Sequence, residues 1–304
     1  MSHSSSLPGL SSHRFFLRIA GLVIDVLSDD RELRLRVEGA GNSFLVPPTD
    51  SDIKVLARWG DLSSERRGEK IFDSGALWQV YSENTSYQFC FTSTTLGPVP
   101  YKIARFDREF TAGEVYLHHP YFTRSQPLYP LEYPLDELLV INLLAKGKGA
   151  EVHACGVKDS EGDGHLFIGQ SGAGKTTLAR LWENSPGITV LSDDRIILRR
   201  EGPSLWMYGT PWHGEAELAS SDRTLLKRVY FLSKGIKNEL IPLRATDAAG
   251  RLFACSFPPF YSQQRLDRTL TFLVEVAETV PCYELRFLPD EKVLELIRPK
   301  GSLD

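Results

Sequence analysis

The first third of the chain alternates short apolar runs with turn-formers. Residues 15–28, 31–39, 76–83, 86–93, 101–107 and 113–119 are rich in aromatic and β-branched side chains. Ser-Asp-Asp, Gly-Ala-Gly-Asn, Glu-Asn and Leu-Gly-Pro separate them. This pattern predicts short strands in meandering antiparallel sheets. Residues 50–60, "DSDIKVLARWG", predict a short helix inserted among them. Pro127, Pro130 and Pro134 then crowd together. Proline gives no donor to a ladder and keeps its predecessor out of helix, so regular structure lapses here. A boundary near residue 130 is expected, separating a β-rich domain (1–130) from a second domain (131–304).

Beyond the prolines the pattern changes. Residues 135–149 carry good helix formers and a glycine stop. "AEVHACGVK" (150–158) reads as a strand, "DSEGDG" (159–164) as a turn, and "HLFIG" (165–169) as the next strand. Strands joined by so short a connection are antiparallel. A doubly wound domain would favour a helical crossover, so a mixed sheet is expected. "GITVLSDDRIILRR" (187–200) supplies a short apolar strand ending in Ser192, Asp193 and Asp194. Residues 223–232 read as a basic loop entering a core strand, and residues 243–257 as a helix. The fold class is α/β (α+β).

Composition narrows the partners. The 304 residues carry 35 Lys and Arg against 39 Asp and Glu, a net charge of −4. That balance argues against a general nucleic-acid binder, which wants a basic face. No apolar run is long enough to span a bilayer, and residues 137–145, the most apolar stretch, fall short. The Ser-rich residues 1–13 lack the basic and apolar regions of a signal peptide and read as a loose tail. Cys90, Cys155, Cys255 and Cys282 are far apart and read as free thiols in a reducing cytoplasm.

Candidate chemistry concentrates at residues 169–176, which fit G-x-x-x-x-G-K-[ST] at every fixed position. Glycines permit a backbone path whose N–H groups converge on an anion. The helix that follows adds its positive N-terminal end. Gly169, Gln170, Ser171, Gly172, Ala173, Gly174, Lys175, Thr176 and Thr177 are therefore the expected ATP-binding residues. Lys175 would reach the β- and γ-phosphates and Thr176 would ligate Mg²⁺. Asp193 and Asp194 would reach the nucleotide if their strand lies beside the one that enters this turn. Asp194 is then expected as a metal ligand and Asp193 as the base that takes a hydroxyl proton. "GTPWHGE" (209–215) presents Glu215 as a further metal ligand and Trp212 and His213 as candidate acceptor contacts. His153 would accept a proton or sense the γ-phosphate. His165 reads as structural. His118 and His119 face opposite sides of a strand and cannot share a metal. Arg223, Lys227 and Arg228 read as a solvated charged face.

Residues 150–200 resemble the HPr kinase/phosphorylase and ATP-dependent phosphoenolpyruvate carboxykinase superfamily. The likeness rests on "EVHACGV", "GQSGAGKTT" and "VLSDDRIIL", which follow the family order of histidine, glycine-rich loop and aspartate pair. Thr176 stands where the family usually has serine. The resemblance implies a P-loop kinase domain with a carboxykinase-like core. It also implies transfer of the ATP γ-phosphate to a serine hydroxyl, with the aspartates and histidine handling metal and proton. The first third does not look like the amino-terminal domain of HPr kinases, which turns expectation away from HPr as acceptor. "GTPWHGE" and residues 280–297 look more like HPr-kinase-related proteins found beside peptide-maturation enzymes. The expected partners are ATP, Mg²⁺ and a peptide or protein acceptor, with no nucleic acid or membrane; a homo-oligomer is compatible. Two other readings stand beside it: a small-molecule kinase acting, for example, on free serine, and a nucleotide-binding regulator with little turnover.

Overall fold

A computed structural model describes residues 12–65, 68–170, 172–183, 185–290 and 292–297. Ser171 and nearly all of the Ser-rich tail lie outside the described residues. The chain divides into two compact units, Met1–Val140 and Ile141–Asp304. The division falls inside helix α1 (Leu135–Leu144), which follows the proline cluster. Both units are built on mixed sheets with few helices, an α+β protein.

The first unit holds strands β1 (Arg14–Ile19), β2 (Leu22–Ser28), β3 (Leu45–Val46), β4 (Ile53–Gly60), β5 (Glu69–Asp73), β6 (Trp78–Ser82), β7 (Ser86–Ser93), β8 (Gly97–Asp107) and β9 (Ala112–His118). They form one nine-stranded sheet in the order β3-β1-β2-β4-β9-β8-β7-β6-β5. Strands β5 to β9 meander antiparallel, as the turn spacing predicts. The sheet is not wholly antiparallel, because β4 lies parallel to both β2 and β9.

Strand β4 corrects the helix expected over 50–60. Ile53, Val55 and Ala57 are fully buried while Lys54, Leu56 and Arg58 between them are not, a period of two rather than 3.6. Residues 31–39 also depart from expectation. Leu33, Leu35 and Val37 are buried alternately, but the one bridge recorded there joins Leu35 to Leu128. An extended segment with so short a partner stays outside the sheet.

The second unit adds β10 (Gly149–Lys158), β11 (Asp163–Ile168), α2 (Lys175–Glu183), β12 (Thr189–Ser192), β13 (Arg195–Glu201), β14 (Ser204–Tyr208), β15 (Arg223–Lys234), β16 (Glu239–Pro242), α3 (Ala245–Ala254), α4 (Gln263–Thr279), β17 (Cys282–Phe287) and α5 (Lys292–Ile297). Strand β10 is central. It pairs antiparallel with β11 on one side and with β12 and β13 on the other. The hairpin of β10 and β11 matches the sequence reading. The aspartate strand does not: β12 lies beside β10, not beside β11. Strand β11 also runs parallel to β15, so the sheet is mixed. The expected basic loop at 223–232 is itself strand, and its cations are engaged: Arg223 with Glu201, Lys227 with Asp163, and Arg228 with the Ile297 carbonyl.

Two apolar layers cover this sheet. Val152, Ala154, Leu166, Ile168 and Ile196 face Leu252, Leu273 and Val276 from α3 and α4. Cys155, Val157, Phe167 and Tyr230 face Leu178, Ala179 and Trp182 from α2 and Val293, Leu294 and Ile297 from α5. With both faces covered, β10 reads as a near-continuous apolar run. The spacing of Leu178 and Trp182 lays one side of α2 onto the sheet. None of the four cysteines forms a disulfide, and Cys255 alone of them is not fully buried.

His165 lies under this second layer, stacked on Trp182 and 2.9 Å from Asp159 through Nε2. Burial pushes its pKa below the ordinary histidine value, against the opposing pull of Asp159. A depressed folded-state pKa gives stability that is complete above the unfolded-state value and lost as pH falls through the folded one. Thermal melts between pH 7.5 and 5 should therefore show an acid-side loss that is smaller in His165→Asn. Equal losses in the two proteins would contradict this.

Candidate active site

Strands β11 and β12 are both antiparallel to β10, so they run in the same direction. Their C-terminal ends lie within two residues of each other along it: Ile168 opposite Ala154, and Ser192 opposite Gly156. The turn after β11 and the aspartates after β12 therefore emerge at one end of the sheet, with β10 between them. They face each other across a cavity of about 470 Å³. Gly172, Gly174, Lys175, Thr176 and Thr177 line one wall, and His153, Asp193, Asp194, Gly214 and Glu215 line the other.

The 169–176 turn depends on glycine twice. Gly172 and Gly174 have φ of +76° and +104°, where side chains other than glycine are strained. A Cβ on Gly174 would also stand 2.6 Å from the Phe287 ring. Helix α2 begins at Lys175, whose side chain is folded back. Its Nζ donates to the Gly169 carbonyl at 2.7 Å and to that of Gln170 at 3.4 Å. Burial pushes the Lys175 pKa below the ordinary lysine value, with Asp194 pulling the other way.

The two aspartates have different surroundings. Asp193 is 2% exposed. Its Oδ1 accepts the Gly214 N–H at 2.9 Å and its Oδ2 accepts the Ala216 N–H at 3.0 Å. Those bonds anchor the 209–216 segment. The Ser192 hydroxyl adds a bond to the Trp212 carbonyl, and the Thr210 hydroxyl donates to the Arg195 carbonyl. Gly214 leaves room for this approach, since a Cβ there would lie 2.8 Å from Asp193 Oδ2. Asp194 instead pairs with side chains. His153 Nε2 is 2.9 Å from its Oδ1, and Arg195 donates to its Oδ2. Burial alone would raise the Asp194 pKa. The bond from His153 and the charges of Arg195, His153 and Lys175 outweigh it and hold the carboxyl below its ordinary value.

Of the expected site residues, Gly172, Gly174, Lys175, Thr176, Thr177, His153, Asp193, Asp194 and Glu215 share this cavity. Gly169 and Gln170 serve it through their carbonyls on Lys175. Ala173 packs against the neighbouring apolar layer. Trp212 is buried and His213 is exposed, and neither lines the cavity. Sequence reasoning missed Glu151, Arg195 and Phe257, which stand behind the aspartates. A signal was present: a glutamate two residues before His153, on the same face of a strand otherwise apolar.

No family model matches the chain, and no curated protein matches it. A solved structure of the Hpr(Ser) kinase/phosphatase from Coxiella burnetii is distantly similar. It shares 13% identity over 48% of this chain and 85% of that one, with a TM-score of 0.29. No helix among the described residues is long and apolar enough to cross a membrane.

Asp193→Ala should free the 209–216 segment, because two part-buried amides lose their acceptor, at a cost below the ~1–3 kcal/mol of a fully buried group left unsatisfied. Hydrogen exchange at Gly214 and Ala216 should accelerate. Unchanged protection there would contradict the anchoring role.

Proposed function

We propose that the cavity is the donor site of an ATP- and Mg²⁺-dependent kinase that transfers the γ-phosphate to a hydroxyl, most readily a serine, of a peptide or protein. The observation that carries this reading is the cavity itself. A lysine at the start of a helix and a glycine-shaped turn face a histidine-bound aspartate across a space lined by oxygen donors.

Lys175 would leave the Gly169 carbonyl for the β- and γ-phosphates, while the turn amides and the end of α2 hold the remaining phosphate charge. Mg²⁺ enters with the nucleotide and neutralises its phosphates. The donor set suits a hard cation: the Thr176 hydroxyl, the lone pairs of Asp193 not used by Gly214 and Ala216, and Glu215. Among the described residues no three His, Cys, Asp or Glu side chains group to hold a metal ion, and Mg²⁺ would arrive as part of the nucleotide substrate.

The base role passes from Asp193, first expected to hold it, to Asp194. Both carboxylates have their two oxygens bound, but Asp193 is 2% exposed, whereas Asp194, held by side chains, lies at the cavity wall with about a quarter of its side chain exposed. The acceptor hydroxyl oxygen bonds to the γ-phosphorus, and the bond from that phosphorus to the β–γ bridging oxygen breaks. ADP leaves with the electron pair, and the hydroxyl proton passes to Asp194. His153, bonded to the other end of this contact, stabilises the carboxylate before transfer.

Incubation with γ-labelled ATP and either a degenerate serine-containing peptide library or free serine tests the reading. Label should appear on peptide and fall by about 10²-fold or more in Lys175→Ala and Asp194→Asn. Label on free serine alone would favour a small-molecule kinase. Nucleotide binding with no transfer to either acceptor would contradict the kinase reading.

A further inference from the structure

Arg195 occupies a position that the proposed chemistry has not yet used. It is the direct register partner of His153 across β10 and β13, so the two side chains stand on the same face of the sheet. They grip Asp194 from opposite sides, His153 at Oδ1 and Arg195 at Oδ2. Two oxygens held by two donors define the plane of a carboxylate, not only its location.

The guanidinium is itself held on further sides. Its Nε is 3.5 Å from Glu151 Oε1, a carboxylate whose side chain is wholly shielded from solvent. Its Cζ lies 4.2 Å over the Phe257 ring. The segment bearing Phe257 is sewn to β10: the His153 N–H donates to the Cys255 carbonyl at 2.7 Å, and the Phe257 N–H to the Glu151 carbonyl at 3.1 Å. A planar fork packed this way has little freedom, unlike an exposed ion pair. The Arg195 side chain is 15% exposed, and Arg195 is not among the residues lining the cavity.

We infer that Arg195, backed by Glu151 and Phe257, is a positioning residue that locks the Asp194 carboxylate in the plane it needs to take the acceptor's proton. This rests on the kinase reading of the cavity. Arg195 acts through Asp194 and touches neither nucleotide nor acceptor. Lysine at this position could supply the charge but not the two-sided fork, so it should restore only part of the function.

The test is a set of single and double variants in the γ-labelled ATP assay with the serine-containing peptide library, paired with Mg·ATP affinity from a fluorescent ATP analogue. Arg195→Met should lower kcat by about 10–100-fold while analogue affinity stays within about twofold, since support of a reacting group is lost and not a nucleotide contact. Arg195→Lys should recover part of the rate, and Glu151→Gln should shift it in the same direction by less. On an Asp194→Asn background, Arg195→Met should change the rate by less than about threefold, because residues that act as a unit are not additive. Full additivity of the two losses would overturn the inference, as would an affinity loss as large as the rate loss. Circular dichroism and thermal melts check that the variants fold; if Arg195→Met does not, Arg195→Lys carries the same comparison. Absence of transfer by the unaltered protein would overturn the kinase reading beneath the inference, an outcome distinct from normal transfer by both it and Arg195→Met.

Discussion

The antiparallel pairing of β10 with strands on both sides is the constraint from which the site follows. Backbone bonding to a common partner makes β11 and β12 run in the same direction, and their registers end them within two residues of each other along β10. A glycine turn after one and an aspartate pair after the other must then meet, although the two strands are not neighbours. This register is strongly set, because a slip of one residue would turn Val152 and Ala154 out of one apolar layer and Cys155 and Val157 out of the other. The same slip would carry His153 away from Asp194. Core packing and site geometry are thus held by the same backbone bonds.

Within that frame the electrostatics divide between two walls. The Lys175 side carries an ammonium that rests on the Gly169 and Gln170 carbonyls at the start of α2. The Asp194 side is a carboxylate kept ionised by His153, Arg195 and Lys175 despite its burial. Its neighbour Asp193 is buried and holds the 209–216 segment by two amides. Adjacent residues of one type thus take different tasks, because one strand end points its side chains into different surroundings.

Much of this was legible in the sequence, for identifiable reasons. The β10–β11 hairpin followed from a six-residue turn too short for a parallel crossover. The turn at 169–176 followed from glycines, whose backbone freedom is local and leaves a mark in the residue type. The gathering of His153, Lys175 and the aspartates was implied by the resemblance of residues 150–200, while the strand adjacency first expected to bring the aspartates in does not occur. Other features depend on pairing partners far away in sequence. Strand β4 reads as an amphipathic helix unless the period of Ile53, Val55 and Ala57 is weighed, and its parallel neighbours cannot be seen locally. The placement of β12 beside β10 rather than β11 is a tertiary choice. So is the binding of Asp193 by Gly214 and Ala216, which required the 209–216 segment to fold back. Arg195 and Glu151 look like ordinary strand charges until the sheet brings them together behind Asp194.

The most direct test of the account is a crystal structure with Mg²⁺ and a non-hydrolysable ATP analogue. The γ-phosphate is expected between Lys175 and Asp194, with the Lys175 ammonium moved off the Gly169 carbonyl onto phosphate and the His153 to Asp194 contact intact. An analogue bound elsewhere, or phosphates in the cavity with Lys175 still on Gly169 and Asp194 out of reach, would contradict it.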